Sequence, residues 1–247
     1  AVGVADLDVK ILGVSPWQAS AHVADRYRKG RIFLAGDSAH EMTPTGGFGL
    51  NTGVQDAHNL CWKLAAVLKN EADAALLDTY HDERQPTGLT ITKATLENAL
   101  SMGRTARQTT ATTARPQFLA EQGLIFGLSY DSAAVASDGS PEEIGFDPVT
   151  EYIPTARPGR RAPHVELERA GKPISTIDLF GDGFVLLAGP NGQAWAAAAK
   201  QLHIQAHVVG DDIRDPDGQW CDKYGIGADG AVLVRPDGYV GWRSHGP

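Results

Sequence analysis

Cysteine is scarce in this sequence: Cys61 and Cys221 are the only two in 247 residues. So wide a separation excludes a disulfide-dense scaffold and a CxxC redox pair, and points to a reducing, cytoplasmic compartment. No apolar run approaches the roughly 18 residues of a membrane span, so no membrane partner is expected. A basic excess is missing as well. Lys and Arg number 22 against 30 Asp and Glu, a net charge of −8, and no nucleic-acid partner is expected without a basic face. There is no initiating Met and no recognisable signal peptide; the chain begins at Ala1. What is present is ordinary globular composition, 42% apolar and 21% charged with 28 Gly and 14 Pro. At about 150 residues per domain, the length allows one to two domains.

The first thirty residues offer a possible strand at 9–14 and a turn at Ser15-Pro16-Trp17. Arg31-Ile32-Phe33-Leu34-Ala35, bounded by Gly30 and Gly36, reads as a short buried strand in need of partners. From 50 to 68 the pattern becomes helical: Leu50, Val54, Ala57, Leu60, Leu64 and Val67/Leu68 repeat every three or four residues, which predicts one apolar face. Asn51 and Thr52 stand where an N-cap belongs, and Asn70 can end the helix. A second helix is predicted over 74–84, interrupted by Pro86 and resuming over 87–102. A further helix near 116–126 and a linker around 137–148 follow. Beyond Pro158 the pattern is strand (183–189), Ala-rich helix (193–202), strand (204–209) and a hairpin over 230–242 turning at Pro236-Asp237-Gly238. That order suggests a small α/β domain of thioredoxin-like type.

The chemistry-bearing segment is Gly36-Asp37-Ser38-Ala39-His40, then Thr43-Pro44-Thr45-Gly46-Gly47-Phe48-Gly49, then the helix opening at Leu50-Asn51. Such a segment can hold a polar cofactor. A carboxylate at a strand end reaches a hydroxyl, glycines admit a flat ring close to the backbone, and a helix N-terminus offers unpaired N–H groups to an anion. Several other motifs are excluded. A dinucleotide fingerprint would place its third glycine where Thr52 stands. His40-Glu41 is followed by Pro44 rather than the second histidine of a zinc protease. Ser38 has Gly36 two residues before it but His40 two after, which is no nucleophile elbow. The plain alternative is a Gly-rich surface loop capping a core helix.

Residues 31–40, Pro44 through Gly53 and Asp56-Ala-His-Asn-Leu-Cys-Trp-Lys-Leu64, with Tyr80, Glu83, Arg84 and Pro86, resemble the group A flavoprotein monooxygenases. These are the single-component, FAD-dependent aromatic hydroxylases related to p-hydroxybenzoate hydroxylase. Arg157-Pro158-Gly-Arg-Arg-Ala-Pro-His164 and the terminal segment resemble the thioredoxin-like third domain of the phenol- and polyketide-hydroxylase branches. The resemblance implies an α/β fold: the C-terminal part of a p-hydroxybenzoate hydroxylase-like FAD domain (1–104), a helical and linker segment (105–155) and a thioredoxin-like domain (156–247). It implies that Asp37 binds the ribityl or pyrophosphate region of FAD, with Gly36 giving room. Pro44, Gly46 and Gly47 would pass along the flavin ring, and Gly49, Leu50 and Asn51 would present N–H groups to its pyrimidine end. The implied reaction uses NAD(P)H and O₂ to hydroxylate a phenolic or polyketide substrate. No side chain is singled out as catalytic.

The family's Gly-x-Gly-x-x-Gly element and most of its substrate-binding sheet precede the Gly-Asp segment, and neither is found here. The chain therefore reads as the C-terminal half of a hydroxylase, with Ala1 as a cut, an N-terminal half as partner and weak FAD binding when alone; a homodimer is a further possibility. The class-level alternative is a non-enzymatic interaction module. Elsewhere the histidines do not cluster at metal spacing. His203 and His207 read as surface residues sharing one strand face, the aspartates of 211–217 as an acidic turn, and Arg157, Arg160 and Arg161 as a solvated edge. Trp220-Cys221 is assigned to packing or subunit contact, and Trp17 and Met42 to packing.

Overall fold

The computed structural model describes residues 8, 10–16, 18–101, 121–141 and 144–246. Residues 10–14 form no strand, and Ile11, Leu12 and Val14 are exposed; Val9 and Trp17 lie outside the described residues. The first ordered pieces are two short antiparallel ladders. β1 (His22–Val23) pairs with β4 (His40–Glu41), and β2 (Arg28–Lys29) pairs with β3 (Ile32–Phe33). The strand expected over 31–35 thus shrinks to two residues, and its Ile32 is exposed rather than buried.

α1 (Phe48–Leu68) begins before the expected start, with Gly47 at its N-cap and no side-chain cap; Asn51 and Thr52 lie inside it. Asn70, just beyond its end, takes a left-handed φ of 59°. Only part of the apolar stripe faces the core, through Leu60 and the half-buried Leu64. Leu50, Val54 and Leu68 are exposed, whereas Thr52, Asp56, Asn59 and Lys63, spaced four, three and four apart, are buried together with Phe48 and Leu60. Both sets have helical periodicity, and the polar set faces inward because each charged member meets an opposite charge there.

A 3-10 turn (Ala74–Leu77), capped by the Asp73 side chain on the Ala75 N–H, leads into α2 (Thr79–Ser101). Pro86 does not interrupt α2. It lies on the exposed side, where the Asp82 carbonyl that would have taken its N–H bond can be hydrated. The opposite side buries Glu83, Arg84, Thr87, Gly88 and Ile91. Of the helix expected near 116–126, α3 (Gln122–Phe126) is seen, and 116–120 lie outside the described residues. Leu124 joins Phe48, Ile91 and Ala94 in one small core, with Met42 packed against it.

The C-terminal region follows the expected order. A hairpin of β5 (Glu166–Arg169) and β6 (Lys172–Ser175) precedes a four-stranded sheet of β7 (Val185–Ala188), β8 (Gln205–Val208), β9 (Ala231–Val234) and β10 (Val240–Ser244). The strands lie in the order β10-β9-β7-β8, with β7 and β8 parallel and the other pairs antiparallel. α4 (Gln193–Gln201) makes the crossover between β7 and β8 that a parallel pair requires. α5 (Trp220–Tyr224) closes the main core, its buried Trp220 stacked on Tyr224.

Three readings are corrected in this region. His203 lies outside β8, at a left-handed φ of 57°, so it does not share a strand face with His207. His207 is buried, its Nδ1 2.6 Å from Asp212 Oδ2 and beside the Arg169 guanidinium. The arginines of 157–161 are half-buried and not a solvated edge: Arg160 donates to the Gly127 carbonyl, and Arg161 lies over the Phe126 ring. Asp212 and Asp215 of the acidic turn accept backbone N–H bonds from Val208, Gln219 and Trp220.

Candidate functional site

Gly36–Ser38 form a 3-10 turn that lies against the first turns of α1. Gly36 has a φ of 57°, a conformation costly for any residue with a Cβ. A Cβ built on Gly53 would come within 3.2 Å of the Gly36 Cα, so loop and helix meet backbone to backbone. The turn leaves Asp37 exposed. Pro44, Gly46 and Gly47 are exposed on the approach to α1, and Phe48 is buried as its anchor. Asn51 donates from Nδ2 to the Gly47 carbonyl at 3.0 Å. No side chain caps the N–H groups of the first turn, where Gly49 is half-buried and Leu50 exposed. A cavity of about 280 Å³ is lined by Gly46, Phe48, Asn51, Thr52, Glu121 and Arg161. The structure therefore brings the Gly36-Asp37 turn and the uncapped start of α1 together at one surface.

Sequence reasoning missed what lies beneath that surface. Asp56 is fully buried. Its Oδ2 accepts the Gly36 N–H at 3.0 Å and faces His40 Nε2 at 2.6 Å, while its Oδ1 accepts from Arg84 Nε at 2.8 Å. Arg84 also donates to the Thr52 carbonyl and the Tyr130 hydroxyl. Burial pushes the Asp56 carboxyl upward, but the hydrogen bond from His40, the charge of Arg84 and the Gly36 N–H together hold it below the usual range. The available signal was polar periodicity on α1, since Thr52, Asp56, Asn59 and Lys63 repeat as a helix face.

One residue before Arg84, Glu83 centres a second buried cluster. Its carboxylate accepts two bonds from Arg235 at 2.7 and 2.8 Å, one from Lys63 at 2.7 Å, one from Asn59 at 2.7 Å and one from Ser132 at 2.6 Å. Arg235 also pairs with Asp237, which accepts in turn from Trp62 Nε1. The cluster joins α1 and α2 to the β9–β10 turn. Burial disfavours the Glu83 carboxylate, yet Arg235 and Lys63 bring its pKa down to about 2. A carboxylate lowered by folding stabilises the fold above its unfolded pKa, and the contribution fades as pH falls through the folded value. We therefore expect thermal stability of this chain to drop between about pH 4.5 and 2, with Glu83 alone accounting for about 3 kcal/mol. A Glu83→Gln chain should have a flatter acid limb in a pH series of melting curves; an equally steep limb would refute the assignment.

Among the described residues there is no group of His, Cys, Asp or Glu suited to a metal ion, and no helix long and apolar enough to cross a membrane.

Comparison with known proteins places two family models on the chain: FAD binding domain over residues 1–95 and aromatic-ring hydroxylase, C-terminal, over 155–247. A 4-methyl-5-nitrocatechol 5-monooxygenase of Burkholderia sp is 46% identical over 99% of this chain and 46% of its own length. A tetracenomycin A2 monooxygenase-dioxygenase of Streptomyces glaucescens is 42% identical over 99% of this chain and 43% of its own. Among solved structures, the flavin-dependent monooxygenase PieE, in complex with FAD and substrate, matches with a TM-score of 0.85 at 34% identity, over 97% of this chain and 49% of that one. An aklavinone-11 hydroxylase with FAD and aklavinone matches with a TM-score of 0.77 at 40% identity, over 93% of this chain and 43% of that one. The chain spans about half the length of the curated relatives it matches.

Proposed function

We propose that this chain is part of an FAD-dependent aromatic-ring hydroxylase, the part that holds the flavin from the side of α1; the two matched family models and the hydroxylase relatives support the reading. The observation that carries this reading is the exposed Asp37 turn packed at Gly53 and Asp56 against a helix whose N-terminus has no side-chain cap. The residues suit the group. Asp37 would offer its carboxylate to the ribityl or pyrophosphate region, and Pro44, Gly46 and Gly47 would pass along the flavin ring with little side chain in the way. The N–H groups at Gly49, Leu50 and Asn51 would be presented to its pyrimidine end, where the partial positive charge of the helix start favours negative charge. Oxygen insertion into a phenolic or polyketide ring, with NAD(P)H as reductant and O₂ as oxidant, is the chemistry FAD supplies when bound. This chain's residues orient the cofactor and exclude water, and no side chain is assigned as acid or base.

We further read the chain as working with an N-terminal hydroxylase portion, in the same or a separate polypeptide, that supplies the rest of the FAD and substrate contacts. The exposed Leu50, Val54 and Leu68 on α1 support that reading, since they give an apolar surface to such a portion. For the division of the chain we keep units of 1–104, 105–155 and 156–247. The last is read as thioredoxin-like, supported by one parallel β–α–β step and the strand order β10-β9-β7-β8.

Asp37→Ala should weaken FAD binding to the assembly of this chain with its N-terminal portion by about tenfold, the value of one charge-assisted hydrogen bond. Flavin fluorescence titration measures it, and unchanged affinity would remove Asp37 from the site.

A further inference from the structure

We infer that Asp56, a residue that meets solvent nowhere, is the positioning residue of the flavin-facing loop, acting through the Gly36 N–H and His40; the role in cofactor binding rests on the FAD site proposed above. The buried carboxylate receives three donors on two oxygens: Gly36 N–H and His40 on Oδ2, Arg84 Nε on Oδ1. Gly36 and His40 bracket Asp37, so one carboxylate ties down both sides of the residue offered to the cofactor. The same Asp56 belongs to α1, whose uncapped start forms the other half of the site. Loop and helix are thereby fixed relative to each other by one side chain, with the Gly36–Gly53 backbone contact as the stop.

His40 Nδ1 is buried without a hydrogen-bond partner among the described residues, and Nε2 faces the carboxylate. Nε2 is thus the nitrogen that bonds the carboxylate, and His40 adds a directional bond to the Asp56–Arg84 pair.

Asp56→Asn separates this role from bulk stability. A carboxamide has a single acceptor oxygen, and the buried Arg84 cation claims it, which turns the NH₂ toward Gly36 and leaves that N–H without an acceptor. In this chain without flavin, hydrogen exchange at the Gly36 amide should accelerate by about tenfold or more relative to wild type, in keeping with loss of one buried bond. In the FAD-loaded assembly, affinity should fall about tenfold. Asp138→Asn removes another buried carboxylate, the partner of Arg243, and should leave both readouts within about twofold of wild type while lowering the melting temperature. Should Asp56→Asn fail to fold, His40→Leu is expected to loosen residues 36–40, and His40→Gln, which restores an N–H donor, to spare them. Unchanged Gly36 exchange in Asp56→Asn, or equal loosening by Asp138→Asn, would overturn the proposal, as would His40→Leu and His40→Gln both behaving like wild type. If the wild-type assembly takes up no FAD, the proposed function falls, while the exchange result still decides whether Asp56 holds the loop.

Discussion

Glu83→Ala should destabilise this chain by about 3–5 kcal/mol, the usual cost of breaking a buried ion pair from one side. The cluster contains Lys63, Arg235, Glu83 and Asp237, all almost fully buried and neutral in sum. Without the Glu83 carboxylate, Lys63 loses its ion partner and Arg235 is left with Asp237 alone. Asn59 and Ser132 each lose an acceptor as well. Water cannot easily replace these bonds, because the site lies between α1, α2 and the β9–β10 turn. Chemical denaturation of wild type, Glu83→Gln and Glu83→Ala would test the expectation. Gln keeps one acceptor and should fall between the other two, and a Glu83→Ala loss below about 1 kcal/mol would place the cluster among ion pairs of no net value.

Gly159→Ala should cost about 3–5 kcal/mol, combining left-handed backbone strain with a backbone collision. Gly159 has a φ of 86°, its N–H donates to the Val240 carbonyl and its carbonyl accepts from the Tyr130 N–H. A Cβ there would run into the Tyr130 carbonyl oxygen. Tyr130 cannot give way freely, because its hydroxyl accepts from Arg84 and its ring stacks on Tyr239 at 4.0 Å. Gly139→Ala is the matched comparison. Its φ of 75° is similar, but a Cβ there meets no atom within 4 Å, so only the strain of about 1 kcal/mol remains. Equal losses at the two positions would show that strain, and not the Tyr130 contact, sets the cost.

What could be read from the sequence depended on whether the deciding partners were near in the chain. β7, α4, β8 and the β9–β10 hairpin were legible because runs such as Val185–Ala188 and Ala231–Val234 are buried and bounded by Gly and Pro. The Gly-Asp turn and the glycines ahead of α1 stood out as motifs for the same local reason, and the structure packs the Gly36–Ser38 turn against α1. α1 was legible as a helix but not in its facing. Most of its inward residues are polar, and their partners Glu83, Arg84 and Asp237 lie 20 to 178 residues away. Periodicity alone favours the apolar stripe. Pro86 misled in a similar way: the rule that proline breaks a helix weakens where the orphaned carbonyl faces water and the other side is pinned by ion pairs. Asp56, His40 and Arg84 lay within the quoted motifs, but their work appears only once three distant donors converge on one carboxylate.

Glu83 and Arg84 are consecutive, so on an α-helix they point about 100° apart. One holds the β9–β10 turn through Arg235, and the other holds the Asp37 turn through Asp56. α2 is thus clamped against rotation about its own axis from two directions. Two neighbouring residues of α2 anchor the C-terminal sheet and, through Asp56, the Asp37 turn to the same helix.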